Sequence, residues 1–214
     1  SLMLTAVCEL STLQAKPTLL TMKKMWRLVG YAAKHPNGCV HIVPSEMLLR
    51  IQSDGSHLSR PHSKSVAGGI HYLGTTDPFF LNAPIHVQST TIPVNTAAVS
   101  ETEYAGCFAN GQIGTDERSV LKNIGYPQPP TIILCDNECA VGLASDTVRA
   151  KKSKAIDMRF DWIRDRVRQK QFIVSFLPGS LNLADFFTKS LPKWKHQELA
   201  PLYVDYPPLS EYFL

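Results

Sequence analysis

Residues 131–137 read TIILCDN, an apolar and β-branched run that ends on an aspartate and an asparagine. That is the pattern of a short buried strand whose C-terminal end presents a carboxylate. The same pattern stands upstream in MLLRIQSD (47–54), where Asp54 closes the run and forms a turn pair with Gly55. Between the two lie the strand-like stretches SVAGGIHYLG (65–74) and IHVQSTTI (85–92), then a helix over 100–112 and a second helical piece over 115–124. Downstream, 137–145 reads as a short helix and 155–168 as an amphipathic one, with Ile156, Phe160, Ile163 and Val167 on its apolar stripe. FIVSFLP (172–178) is the last strand, and 181–191, stopped by Pro192, the last helix. Three strands in succession followed by alternating helices and strands predict an α/β fold, a five-stranded mixed sheet flanked by helices.

The N-terminal part is helical in pattern. Residues 2–13 are apolar, and from Pro17 the positions Leu19, Met22, Trp26, Val29 and Ala33 recur at helical spacing until Pro36, Asn37 and Gly38 stop the run. VHIV (40–43) is a short strand candidate, and 57–64 a polar loop. Gly68 and Gly69 inside a strand mark a bulge or a close backbone approach. The expected organisation is a helical segment over 1–45, an α/β domain over 46–192, and an extended tail over 193–214 with Pro201, Pro207 and Pro208 and no core of its own.

The chain has 214 residues, 44% of them hydrophobic, enough for one core. Five cysteines, an odd count without C-x-x-C spacing, imply reduced thiols and an intracellular setting, cytoplasmic or nuclear. Cys135 and Cys139 read as structural thiols rather than a metal pair. The net charge of +4 permits a polyanion partner without demanding one. No apolar run reaches membrane-spanning length. The first residues lack the pattern of a signal peptide, and without an initiator Met the chain reads as a fragment of a longer polypeptide.

Asp54 and Asp136 end strand-like runs, while Glu103 and Asp185 lie in predicted helices. Carboxylates brought together from such positions repel unless a cation holds them. A divalent metal acting on phosphates is the chemistry that uses such a set.

Four blocks, VSETEYAG (99–106), ILCDNECAV (133–141), SKAIDMRFDWIRDRV (153–167) and LNLADFFTKSLP (181–192), resemble the ribonuclease H domain of Ty1/copia-type retrotransposon Pol polyproteins. The Ala-Asp followed by Phe-Thr-Lys in the last block is the most specific of them. Residues 10–38 are similar to the helical segment that joins reverse transcriptase to that domain. The resemblance implies a ribonuclease H-like fold over about 46–192, with Asp54, Glu103, Asp136 and Asp185 as catalytic residues and metal ligands. It implies two Mg²⁺ ions, with Mn²⁺ as a substitute, that serve hydrolysis of the RNA strand of an RNA–DNA hybrid. The implied partners are that hybrid and the upstream reverse transcriptase domain of the same polyprotein.

Each acid also has a plainer reading. Asp54 fits a turn former, Asp136 with Asn137 a helix cap, and Asp185 a surface helix residue. Ser100-x-x-Glu103 fits a capping box, which would leave Glu101 as the catalytic candidate. Periodicity does not choose between Glu101 and Glu103; the family pattern takes Glu103. In the basic stretch 149–170, Lys151, Lys152 and Lys154 precede the helix and, with Lys189, are the candidates for backbone phosphate contacts. Asp161 with Arg164 and Asp165 with Arg168 are spaced as intrahelical pairs. His57 and His62 read as solvated loop residues before they read as metal ligands. Two rivals stand beside the nuclease. One is an inactive remnant or connection module that binds hybrid or a partner domain. The other is an integrase-type core, which would place a Glu where this chain has Asp185.

Overall fold

The computed structural model describes residues 2–77, 80–147 and 157–205, the side chains of 157–161 excepted. Its strands are β1 (Leu48–Arg60), β2 (Lys64–Gly74), β3 (Pro84–Thr91), β4 (Thr131–Cys135) and β5 (Phe172–Phe176). They pair in the order β3-β2-β1-β4-β5, antiparallel among the first three in sequence and parallel from β1 to β4 to β5. Parallel neighbours need crossovers. These are α3 (Val99–Asn123) before β4, then α4 (Glu138–Ala144) and α5 (Asp157–Arg168) before β5. The five-stranded mixed sheet with flanking helices is thus the expected one.

Strand parity divides the core into two layers. Ile51, Ile133, Cys135 and Val174 face Tyr104 and Cys107 of α3, Ala140 of α4 and Ile163 of α5. Ile70 and Tyr72 face the other way, onto Ala184, Phe186, Phe187 and Tyr203. A 3₁₀ turn, Leu183–Phe187, covers that second face with help from Leu2 and from Leu4 of α1 (Leu4–Ser11); a further short turn, Gly179–Leu181, precedes it. α1 is tied to its surroundings at three points. Thr5 Oγ1 donates to Phe186 O at 3.3 Å, and Glu9 accepts from Lys24 at 2.7 Å and from Arg60 at 3.3 Å.

Several local expectations give way to tertiary packing. β1 does not turn at Asp54–Gly55 but runs on to Arg60, so most of the expected 57–64 loop is strand, with a short turn at Pro61–Ser63. β2 pairs with it in unbroken register to Ser56–Val66 and again, past an irregularity, at Arg60–Lys64, and that ladder outweighs a local Asp-Gly turn preference. The two helical pieces over 100–124 are one helix of 25 residues. Gly114 lies against Ile51 and Phe172, so packing carries α3 across the break expected between 112 and 115. The capping box at Ser100 does not form. Ala98 is the N-cap, without a side-chain bond, and Glu101 accepts from Ala97 N at 2.7 Å. The predicted helix over 181–191 is 3₁₀ turn, with Asp185 inside Leu183–Phe187.

At the ends of the chain, VHIV is no strand; its neighbour Cys39 makes an isolated bridge to Asp205. The tail is not simply extended. Within its described part α6 (Lys193–Leu199) and a 3₁₀ turn at Ala200–Leu202 lead Tyr203 into the core. α2 (Leu19–Lys34) forms behind a Thr18–Thr21 capping box but buries none of its residues, and its stripe residues Leu19 and Trp26 are 85% and 64% exposed. Arg164 and Arg168 pair with Asp146; the Asp161 side chain, expected to pair with Arg164, lies outside the described residues, and Asp165 accepts from Gln169. Among the described residues no helix is long and apolar enough to cross a membrane.

A Cβ on Gly55 would stand 2.6 Å from the Thr102 carbonyl oxygen, a backbone atom that cannot step aside alone. Gly55→Ala is therefore expected to cost about 2–3 kcal/mol through a forced shift of α3, read as a lowered urea midpoint with unchanged slope.

Candidate functional site

Asp54 and Asp136 reach one place because β1 and β4 are parallel and in register. Each lies one residue beyond the Ser53–Cys135 pair, so both project to the same side of the sheet. β4 stops at Cys135 while β1 continues, which leaves the Gly55 N–H without a strand partner on that side. Glu103, arriving on α3 from the opposite face, fills the gap: its Oε2 accepts from Gly55 N at 2.9 Å. Glu103 and Asp136 oxygens and the Cys135 sulfur all lie within 4.8 Å of one another. Asp185 comes from the Leu183–Phe187 turn and acts electrostatically on both Asp54 and Asp136. The four acids named from the sequence are thus one cluster, and Glu103 rather than Glu101 is its α3 member.

The cluster is electrostatically strained. Burial is the first cause that lifts the Asp54 carboxyl to about 6; Asp185 and Asp136 add to it, against a 2.5 Å hydrogen bond from Thr188 Oγ1. Burial, then Asp54, Cys135 and Asp136, push Glu103 up to about 10. Asp136 is also raised, by burial first, with a hydrogen bond from Asn182 opposing it. Lys189 forms an ion pair with Asp185 one helical turn away in sequence. Burial pulls its ammonium down, but that bond and the charges of Asp185, Asp54 and Asp136 hold it above its usual value.

An all-oxygen set of crowded, buried carboxylates fits a hard divalent cation, which would offset both the burial and the mutual repulsion that raise them. Among the described residues, Lys189 is the positive group beside the cluster. Cys135 was read as a structural thiol. It is buried, and its proton is held more tightly than usual by a hydrogen bond with Cys107 and by burial.

Thr188 and Asn182 escaped the sequence reading as site residues, although both flank Asp185 in the same block. Asn137 caps α4 through Ala140 N, so Asp136 is not the cap. His57 is not a loop residue; its Nδ1 meets Thr102 Oγ1 at 2.8 Å. His62 sits in the Pro61–Ser63 turn at positive φ. Lys151, Lys152 and Lys154 lie outside the described residues.

Three antiparallel strands joined to two parallel ones, with acids gathered where β4 ends, define a ribonuclease H-like α/β domain. No family model matches the chain. The retrovirus-related Pol polyprotein from transposon TNT 1-94 of Nicotiana tabacum is 24% identical to it over 179 residues, covering 82% of this chain. The chain spans only 13% of that polyprotein's length. Among solved structures, the N-terminal RNase H domain of rv2228c from Mycobacterium tuberculosis is similar at 17% identity and a TM-score of 0.47, covering 66% of this chain and 91% of that one. LC11-RNase H1 in complex with RNA/DNA hybrid gives 14% identity and a TM-score of 0.48, covering 65% and 93%. The likeness to a retrotransposon Pol polyprotein that the sequence blocks carried is borne out.

For each raised acid the folded protein holds its proton more tightly than the unfolded chain, so ionisation disfavours the fold. Glu103 acts this way from its ordinary value of 4.5 up to about 10, and Asp54 from 3.8 up to about 6. With divalent cations chelated, the urea midpoint should fall between about pH 5 and about pH 8, and Glu103→Gln should flatten that slope. A midpoint that climbs with pH over the same interval contradicts this electrostatic account.

Proposed function

We propose that this chain is a divalent-metal-dependent endonuclease that hydrolyses the RNA strand of RNA–DNA hybrids during retrotransposon reverse transcription. The observation that carries the reading is the convergence of Asp54, Glu103, Asp136 and Asp185 at the end of β4. When bound, a pair of Mg²⁺ or Mn²⁺ ions would supply charge stabilisation to the attacking and leaving oxygens of a phosphodiester. The chain's own residues do the rest. Thr188 fixes one oxygen of Asp54, Gly55 N one oxygen of Glu103, and Asn182 orients Asp136, which leaves the remaining oxygens as those that would hold the cations. Lys189 neutralises Asp185 and turns its ammonium to a backbone phosphate once the carboxylates have other countercharge. Lys151, Lys152 and Lys154 are proposed as further phosphate contacts.

In this reading 46–192 is the nuclease unit. The uncovered apolar side of α2, within 1–45, takes the upstream reverse transcriptase domain as its partner.

Labelled hybrid supplies the test. Asp136→Asn should lower Mg²⁺-dependent cleavage by at least about a hundredfold, the scale of losing one preorganised charge-stabilising group, while hybrid binding persists. Binding without cleavage in the parent chain would instead favour an inactive module, and preference for duplex DNA an integrase-type core. For the partner, Trp26→Glu should leave thermal stability unchanged, since the Trp26 side chain is largely exposed. It should weaken association with the upstream polyprotein segment added in trans by about tenfold or more.

A further inference from the structure

α3 presents one stripe to the sheet. Glu103, Asn110 and Glu117 recur every seventh residue, two helical turns apart. Glu103 meets β1 at Gly55. Asn110 is fully buried. Its Nδ2 lies 3.1 Å from Ser53 Oγ and 2.9 Å from both Gly68 O and Gly106 O. Its Oδ1 lies 3.0 Å from His71 Nε2. With the amide nitrogen facing three acceptors, the orientation of the group is set by its network, and His71 Nε2 must carry the hydrogen of that bond. His71 Nδ1 in turn lies 2.6 Å from Glu117 Oε2.

The fit admits no slack. A Cβ on Gly69 would stand 1.7 Å from Asn110 Oδ1. Sliding α3 by a single residue is a 1.5 Å step. Such a step would strip Asn110 of bonds to β1 and β2 and leave buried polar groups unpaired. The network therefore has one satisfied register, and that register is the one in which Glu103 faces Gly55 and Asp54.

We propose that Asn110, His71 and Glu117 are positioning residues that lock α3 axially on β1 and β2 and thereby hold the Glu103 carboxylate in the acidic cluster. The consequence for cleavage rests on the nuclease reading above; the lock itself does not, because it can be read without activity.

The Gly55 N–H reports the lock directly, since Glu103 is its acceptor. Hydrogen exchange at Gly55 is to be measured by NMR, and Mn²⁺ binding by calorimetry, on the whole chain. Asn110→Ala, and Glu117→Ala as the milder variant, should speed Gly55 exchange while β4 and β5 amides stay protected. Both should weaken Mn²⁺ binding by about tenfold, the scale of losing an outer partner of a metal site. Glu117→Gln, which keeps a hydrogen bond to His71, should restore both readings. Parental Gly55 protection in a folded Asn110→Ala or Glu117→Ala variant overturns the proposal. Should Asn110→Ala fail to fold, the two Glu117 variants decide alone. A parent chain that does not cleave hybrid, with the Gly55 effect intact, overturns the nuclease reading and leaves the lock standing. Where both hold, Glu117→Ala lowers kcat with KM unchanged, and Glu117→Gln recovers it.

Discussion

The backbone of α3 lies directly on β1 at the residue that matters. A side chain on Gly55 would strike the Thr102 carbonyl, and a Cβ on Gly106 would come within 2.9 Å of the Asp54 carbonyl. This contact lets a carboxylate from one face of the sheet join carboxylates from the other, because β4 ends one residue short of Asp136 while β1 goes on. Without the early end of β4 the Gly55 N–H would be a ladder donor, and Glu103 would have nothing to hold. The position of the cluster is thus a property of the sheet edge and of helix-to-strand distance as much as of the acids themselves.

That arrangement works against stability. Burial and mutual repulsion raise Asp54, Glu103 and Asp136 together. Hydrogen bonds from Thr188, Gly55 and Asn182 and the charge of Lys189 offset part of the strain. The apolar layers on either side of the sheet hold the acids where they are. Asp54 projects into the layer with Phe186 and Phe187, and Glu103 rises from the layer with Tyr104 and Ile133.

Much of this was legible in the chain. The sheet followed from the alternation of apolar runs, and the four acids from strand ends and a family likeness. What escaped was set by contacts distant in sequence. Asp54–Gly55 has the composition of a turn, yet a strand pairs across it and a helix rests on it. Ser100 and Glu103 have the spacing of a capping box, yet Glu103 is drawn to Gly55, so the helix starts without a side-chain cap. LNLADFFTKSL has helical periodicity, yet Asn182 caps Ala184 and donates to Ser53 O, bending the segment into 3₁₀ turns that carry Asp185. The seven-residue recurrence of Glu103, Asn110 and Glu117 was visible too. It signified nothing until His71 and Gly69 stood opposite.

The ties of α1 give the N-terminal segment a mechanical meaning. Glu9 grips Lys24 of α2 and Arg60 at the far end of β1, while Thr5 on the same short helix grips the carbonyl of Phe186, the residue after Asp185. The eight residues of α1 therefore bridge α2, the far end of β1 and the backbone beside Asp185, so that the front of the chain and the acid-bearing turn share one anchor.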